Sequence, residues 1–386
     1  MRGRLALALL TAVGCVSDAT GPPAADAPEA AGLQSLAPAV RLAYLREAVV
    51  SSPIDTAALD LRRGPDGGRW PPGAVLDCDF FLPPERPSGY TPKFICRTAD
   101  GEAYKIKYGR DNLEVYGEAI GSRLLWALGF RSDRIDPITV RCRGCPEDPW
   151  SFMKRILLWK RAELPASDRV RQFEPAVIES YHGTLMESEP EQGVTWDELL
   201  GETSRDAARA SEQRIHREAL TLLMGFLQHA DSKPSQQALS CTPDGVQRAA
   251  NGAETCASPE VYIGDVGAIL GDGWKYGRMS TTKIDYARWK ATPVWRDAQA
   301  CVIAVNGRPN ASLHDVAISE SARRFLAERL MLLSSEQLRG LFAVARVELL
   351  GETFEPSPGR VRTVDADDWA ALFLEKASEI TGHRCP

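Results

Sequence analysis

The chain has 386 residues, of which 44% are hydrophobic and 25% are charged, and its formal net charge is −6. This composition is ordinary for a globular protein and excludes a fully disordered, collagenous or coiled-coil chain. An acidic chain without a cluster of lysines and arginines is a poor nucleic-acid binder, so we expect no nucleic-acid partner. No apolar stretch reaches the ~18–20 residues of a membrane-spanning helix. The length predicts two domains or one large two-lobed domain.

The first residues have the pattern of an export signal. Arg2 and Arg4 precede an apolar run over 5–13, and Cys15 follows shortly after it. A basic start, a short apolar core and a small residue before the cleavage point define a signal peptide. The ending Ala-Val-Gly-Cys resembles the bacterial lipobox, which implies that residues 1–14 are removed and Cys15 is lipidated. The alternative is an ordinary signal peptide cut nearby, with Cys15 incidental.

The composition changes in steps along the rest of the chain. Residues 15–34 are rich in Ala, Pro, Gly and Asp, which is typical of a flexible tether. Apolar residues at helical spacing predict a helix over 36–50, within an N-terminal extension that spans 35–71. We expect a strand-rich lobe over 72–160 and a mainly helical lobe over 161–386.

The pattern of apolar residues predicts the elements of these two lobes. The predicted strands cover 74–82, 93–97, 103–108, 138–141 and 151–158, with an amphipathic helix over 112–129. The predicted helices of the second lobe cover 205–229, 318–333, 335–350 and a segment near 367–380. The predicted fold class is therefore α+β, with a small β-rich N-terminal lobe and a larger helical C-terminal lobe.

The cysteines also favour export. Nine are present, and eight remain when Cys15 is set aside. An even number in an exported chain predicts disulfides. Proximity in the sequence favours the pairs Cys78–Cys96, Cys142–Cys145 and Cys241–Cys256, which leaves Cys301–Cys385. Cys142 and Cys145 could instead form half of a zinc site or a redox pair, but a zinc ribbon needs a second close pair, which the sequence lacks.

Two acidic motifs in the second half of the chain contain candidate catalytic and metal-binding residues. His229-Ala-Asp231-Ser-Lys233-Pro-Ser-Gln236 follows an apolar helix, and a strand later delivers Asp265 into a tight Asp-Val-Gly turn. An Asp and a Lys two residues apart can serve one reaction centre, where the Asp orients a hydroxyl and the Lys neutralises phosphate charge. A carboxylate at a glycine turn is a good Mg²⁺ ligand. We interpret His229 as a structural residue that braces the Asp-x-Gly segment.

These two motifs resemble the catalytic loop and the D-F-G motif of protein kinases, with Gln236 in the position of the usual Asn. The interval between the two motifs is longer than in ordinary kinases. The resemblance implies that Asp265 and Gln236 hold Mg²⁺ or Mn²⁺. It also implies that Asp231 orients the acceptor hydroxyl and that Lys233 stabilises the transferred charge.

The upstream half agrees with this resemblance. The strand 104–108 resembles the V-A-I-K strand of kinases, whose Lys contacts the α- and β-phosphates of ATP. Lys105 and Lys107 lie on the same face, and Lys107 fits better because the strand ends there. Glu114 and Glu118 are spaced four apart on the next helix, and Glu118, deeper in the helix, is preferred as the partner of Lys107. The helix pattern resembles those of spore-coat, lipid-kinase-like and secreted kinase relatives.

The resemblance is weakest at the glycine-rich loop, because Pro87-Ser88-Gly89-Tyr90 replaces G-x-G-x-x-G.

The leading hypothesis is an exported, lipid-anchored kinase-like phosphotransferase of the bacterial cell envelope that uses ATP and a divalent metal. Its acceptor, a protein or a small molecule, is not identified by the motifs, and it meets the membrane only through its anchor. The alternatives are a pseudokinase that serves as a binding or scaffold module, and a nucleotidyl transferase on the same fold.

Overall fold

The computed structural model describes residues 36–84, 89–159, 168–180, 184–185, 193–248, 250, 254–275, 282–357 and 359–386. The predicted signal peptide, Cys15 and the tether lie outside these residues. Within them, no helix combines the length and the apolar character that crossing a membrane requires.

The first lobe is a closed barrel of five strands. The strands of this part of the chain are β1 (Val75–Phe81), β2 (Lys93–Arg97), β3 (Ala103–Tyr108), the short β4 (Arg131–Ser132), β5 (Arg134–Arg143) and β6 (Val170–Ser180). The barrel order is β1-β2-β3-β6-β5, closed by parallel pairing of β1 with β5. Alternate side chains such as Phe94, Ile106 and Val140 fill its interior, as the period of two dictates.

Helices α2 (Glu114–Ala127) and α3 (Pro149–Trp159) flank this barrel, whereas α1 (Pro38–Glu47) packs against the second lobe, where Arg41 pairs with Glu198 and Arg46 with Glu202. The predicted strand over 151–158 is wrong, because this segment forms α3. Asp148 accepts a hydrogen bond from the backbone N–H of Ser151 in the first turn, 3.0 Å away. Trp150 and Met153, three residues apart, are both buried against the barrel interior. An apolar run of this length is compatible with a strand or a helix, and the helical spacing of its buried residues distinguishes the two.

Strand β6 extends the first lobe past the boundary predicted at residue 160. It pairs with both β3 and β5 and so completes the barrel. The prediction of a mainly helical lobe from residue 161 is wrong for 170–180. The nearest partner pair of this strand, Arg143 and Val170, is 27 residues apart (170 − 143), and such pairing leaves little local signal.

The second lobe is mainly helical and confirms the α+β class. Its helices are α4 (Trp196–Gly201), α5 (Ala207–Phe226), α6 (Tyr286–Ala291), α7 (Glu320–Leu330), α8 (Ser335–Val344) and α9 (Ala366–Thr381). Its strands are β7 (Thr184–Leu185), β8 (Gln237–Cys241), β9 (Val246–Arg248), β10 (Glu254–Cys256), β11 (Pro259–Ile263), β12 (Trp295–Asp297), β13 (Val302–Ile303), β14 (Thr353–Ser357) and β15 (Arg360–Thr363). Side-chain caps begin the longer helices; Asp206, for example, accepts a hydrogen bond from the N–H of Arg209.

A small sheet of order β4-β11-β8-β7 joins the two lobes and positions two functional residues. Strands β8 and β11 are antiparallel, and Ile263 pairs with Gln237. Gln236 immediately precedes β8, and Asp265 follows β11 by two residues. The antiparallel register therefore brings these two side chains to the same end of the sheet.

The described residues contain four disulfides, and they are the four pairs that sequence proximity favours: Cys78–Cys96, Cys142–Cys145, Cys241–Cys256 and Cys301–Cys385. The first joins β1 to β2, and the third closes the insert between β8 and β11. The last ties the C-terminus to the segment before β13. Such a set is typical of a protein that folds in an oxidising compartment.

The disulfides differ in loop length, and this difference generates a prediction. The Cys301–Cys385 bond spans 84 residues, whereas the Cys142–Cys145 bond spans 3. In the chain-entropy model these bonds contribute about 4.5 and about 1.5 kcal/mol. Replacing Cys301 and Cys385 by Ala should therefore lower the free energy of unfolding, measured with urea, by far more than the same change at Cys142 and Cys145. Equal losses in the two double variants would contradict this account.

Candidate functional site

The centre of the candidate site is a buried ion pair between the barrel and α2. The Nζ of Lys107, on β3, donates a hydrogen bond to Oε1 of Glu118. The two residues are only 3% and 1% exposed. Burying two charges is costly unless they compensate each other. The pairing therefore fixes α2 against β3 and joins the two residues that the sequence analysis preferred.

Glu179 is a second carboxylate at this ion pair, and the sequence analysis missed it. Its side chain lies on β6, 3.2 Å from Nζ of Lys107 and 2.7 Å from Nζ of Lys105. Lys105 thus contacts Glu179, while Lys107 lies between Glu179 and Glu118 and contacts both. The one local signal for Glu179 is an acid at the end of the apolar run 176–178.

Asp265 faces the same ammonium from the second lobe. Its Oδ1 lies 4.0 Å from Nζ of Lys107, and its side chain is 38% exposed, so a ligand can reach it. Gln236 donates from Nε2 to Oδ2 of Asp265 at 3.2 Å. The backbone N–H of Asp265 donates to Oδ2 of the buried Asp133 at 3.3 Å. Asp265 has φ of 44°, a left-handed conformation that these contacts hold in place.

The Asp-Val-Gly turn is packed closely against α2. A Cβ atom on Gly117 of α2 would lie 2.4 Å from the carbonyl oxygen of Gly267, a distance no side chain tolerates. A Cβ on Gly267 would lie 2.9 Å from Cβ of Glu114. Glycine at both positions therefore lets the Asp265 turn approach the helix that carries Glu118.

The charges of the site fix the protonation states of Lys107 and Asp265. Burial alone would lower the pKa of Lys107, but Glu118, Asp265 and Glu179 raise it well above its usual value. Removal from bulk water would raise the pKa of Asp265, but the Lys107 ammonium holds it well below its usual range. Lys107 therefore stays a cation and Asp265 stays a carboxylate across the neutral range.

Three carboxylates of the site have the chemistry of a divalent-cation site. Oxygen atoms of Glu114, Glu118 and Asp265 all lie within 4.8 Å of one another. Oε2 of Glu118 is buried and lacks a hydrogen-bond partner among the described residues. Lys283 lies 3.1 Å from Glu114. Carboxylate oxygens are the ligands that Mg²⁺ and Mn²⁺ prefer, so the donor set fits such an ion.

The predicted catalytic loop runs between α5 and β8. Oδ2 of Asp231 lies 2.7 Å from Nη1 of Arg308 and 3.8 Å from Nζ of Lys233. Lys233 also lowers the pKa of Asp265, after the larger effects of burial and Lys107, so Lys233 lies within electrostatic reach of both acidic motifs. The structure thus brings the catalytic-loop residues to the same cleft as the ion pair.

The sequence analysis also missed Arg308, which lies in the loop after β13. The backbone N–H of Arg308 donates to the carbonyl of Ala230 at 2.8 Å, and Nη2 donates to Oγ1 of Thr282 at 3.0 Å. The N–H of Ser312 donates to the carbonyl of Ser232. No motif marks this loop, because its role depends on contacts with residues about eighty positions away.

His229 is fully buried, and both ring nitrogens lack hydrogen-bond partners among the described residues. Burial lowers its pKa to about 4, so the ring is neutral. A neutral, buried imidazole fits the predicted structural role and does not suit proton transfer at neutral pH.

No protein-family model matches the sequence, and no curated protein matches it. Among solved structures, the chain is similar to the crystal structure of a Helicobacter pylori proinflammatory kinase, CtkA, with a TM-score of 0.37 and 9% identity. The match covers 81% of this chain and 96% of that chain. In this chain, a β-rich lobe carries the Lys107–Glu118 pair, and a helical lobe carries the two acidic motifs in order. This arrangement agrees with the predicted protein-kinase-like fold class.

The buried ion pair predicts non-additive stability changes. Lys107→Met leaves Glu118 and Glu179 without their shared cation, and removing one partner of a buried pair costs about 3–5 kcal/mol. Glu118→Gln removes one of the carboxylates, so the double variant should be much less destabilised than the sum of the single losses. Urea unfolding of the four proteins in this cycle measures the coupling, with Lys290→Met, at an exposed ion pair outside the site, as the control. Additive losses would show that the two residues do not form a coupled pair.

Proposed function

We propose that the protein is an exported, lipid-anchored phosphotransferase of kinase-like architecture that uses ATP and a divalent metal. The observation that carries this proposal is the convergence of Lys107, Glu118, Gln236 and Asp265 on one cleft. The four residues come from β3, α2 and the same end of the β8–β11 pair. The disulfides and the leader pattern support export to the cell envelope.

The carboxylate cluster would hold the metal, with Asp265 as the ligand most open to the cleft. A bound Mg²⁺ or Mn²⁺ would neutralise negative charge on the phosphates. Lys107 would bind the α- and β-phosphates, and Glu118 keeps its ammonium in place. Gln236 holds Asp265 through its amide N–H, and its amide oxygen is a further ligand type that would suit the same ion.

Asp231 is suited to orient the acceptor hydroxyl. Arg308 and Lys233 both contact Oδ2, and Oδ1 has no hydrogen-bond partner among the described residues. Oδ1 is therefore available to accept the proton of an incoming hydroxyl, while Arg308 fixes the orientation of the carboxylate. Lys233 would stabilise negative charge on the transferred phosphoryl group.

A second candidate is a pseudokinase that binds nucleotide or a protein partner without turnover. One observation favours it: the amide N–H of Gln236 occupies Oδ2 of Asp265, an oxygen that a metal would otherwise use. Gln also replaces the Asn that kinases carry at this position. This reading predicts nucleotide binding, or scaffold function, without phosphotransfer.

The two acidic motifs predict different consequences of mutation. Asp265→Ala should weaken Mg²⁺-dependent ATP binding, measured by calorimetry, because it removes the accessible metal ligand. Asp231→Ala should leave ATP binding unchanged and lower turnover by about 10²–10⁴-fold, the usual contribution of a positioned base.

ATP consumption by the mature chain with and without Mg²⁺ or Mn²⁺ supplies the turnover measurement, and Asp197→Ala, at an exposed carboxylate outside the cleft, is the matched control. Metal-dependent ATP binding without any turnover in the parent protein would favour the pseudokinase. Turnover that survives Asp231→Ala would refute the assignment of the catalytic loop.

A further inference from the structure

Lys93 is a buried lysine of the cleft to which none of the kinase motifs assigns a role. It is the first residue of β2 and is only 6% exposed. In the antiparallel register of β2 and β3, Lys93 pairs directly with Lys107. Directly paired residues lie on the same face of a sheet, with Cβ atoms roughly 4.5–5.5 Å apart. Lys93 therefore shares the outer, cleft-side face of the barrel with the lysine of the central ion pair.

The ammonium of Lys93 lies beside Gly89, in the described part of the connection between β1 and β2. A Cβ atom on Gly89, four residues before β2, would lie 2.9 Å from Nζ of Lys93. On the other side, Nζ lies 5.8 Å from the ring centroid of the buried Trp150, within the range of a cation–π contact. The connection between the first two strands is where a glycine-rich loop covers the phosphates in kinases, and here G-x-G-x-x-G is absent.

The charges around Lys93 are mixed. Burial, together with the charges of Lys107 and Lys105, lowers the pKa of Lys93, and Glu179 and Asp265 oppose this effect. Lys93 and Lys107 are paired on one face of the sheet, so a ligand with several negative oxygens can contact both. The anion that suits two ammonium groups on adjacent strands is a chain of phosphates, which offers negative oxygens along its length.

We propose that Lys93 is a second phosphate-binding lysine, which grips the oligophosphate of a nucleoside di- or triphosphate together with Lys107. In this arrangement, the ammonium of Lys93, beside Gly89, supplies a phosphate contact in a chain whose sequence lacks G-x-G-x-x-G. The inference rests on the proposed nucleotide-binding function and adds a named phosphate contact to it.

The test compares ligands that differ only in phosphate content. Calorimetry with Mg²⁺ present measures the affinity of the parent protein, Lys93→Met and Lys154→Met for ATP, ADP, adenosine and inorganic tripolyphosphate. Methionine keeps the length and apolar stem of lysine without its charge. Lys154 is the matched control because its Nζ also lies over Trp150, at 5.2 Å.

Lys93→Met should weaken ATP and tripolyphosphate binding by at least tenfold, leave adenosine binding unchanged, and leave or raise the unliganded melting temperature. Lys93→Arg should restore most of the phosphate affinity, which separates loss of charge from loss of fold. Parent-like ATP affinity in Lys93→Met would overturn the role of Lys93 while leaving the proposed function intact. A parent protein that binds neither ATP nor tripolyphosphate would overturn both.

Discussion

The structure depends on one buried ammonium group that must serve three carboxylates. Lys107 lies on β3 of the barrel, Glu118 on α2, Glu179 on β6 and Asp265 after β11, so a single cation joins four segments from both lobes. The side chains of Glu118 and Glu179 are only 1% and 8% exposed, and burying a charge is costly unless an opposite charge lies close by. The position of α2 against the barrel and the position of the Asp-Val-Gly turn against α2 are therefore set by the same interaction.

Close packing makes this electrostatic arrangement rigid. Gly117 and Gly121 face the Asp-Val-Gly turn, where added Cβ atoms would meet the carbonyl of Gly267 and the side chain of Val266 at 2.4 and 2.8 Å. Val266 is buried in the same core as α2. A shift of α2 would therefore move the turn that carries Asp265. The helix and the acidic turn behave as one packed unit, which suits a site whose donors must be held in place before a ligand arrives.

The parts of the site that the sequence predicts are those encoded in short motifs. Lys107 lies near the end of a predicted strand that is followed by a predicted helix. Asp265 lies in a predicted turn and is adjacent to a glycine in the sequence. Glu179 and Arg308 have no such neighbours, because their roles arise from pairing of β6 and from a loop that meets the catalytic loop from far along the chain. The segment 151–158 shows the same limit for secondary structure: an apolar run fits a strand or a helix until its buried partners are known.

The cleft holds positive and negative groups side by side. On the barrel, Lys93 and Lys107 pair across β2 and β3, and Glu179 on β6 lies 3.2 Å from Nζ of Lys107. Glu114, Glu118 and Asp265 bring oxygen atoms within 4.8 Å of one another. A lone anion would satisfy the lysines and repel the acids, and a lone cation would do the reverse. The metal–oligophosphate complex proposed as the ligand carries both charges, and under that proposal the acids would hold the metal and the lysines would hold the phosphates.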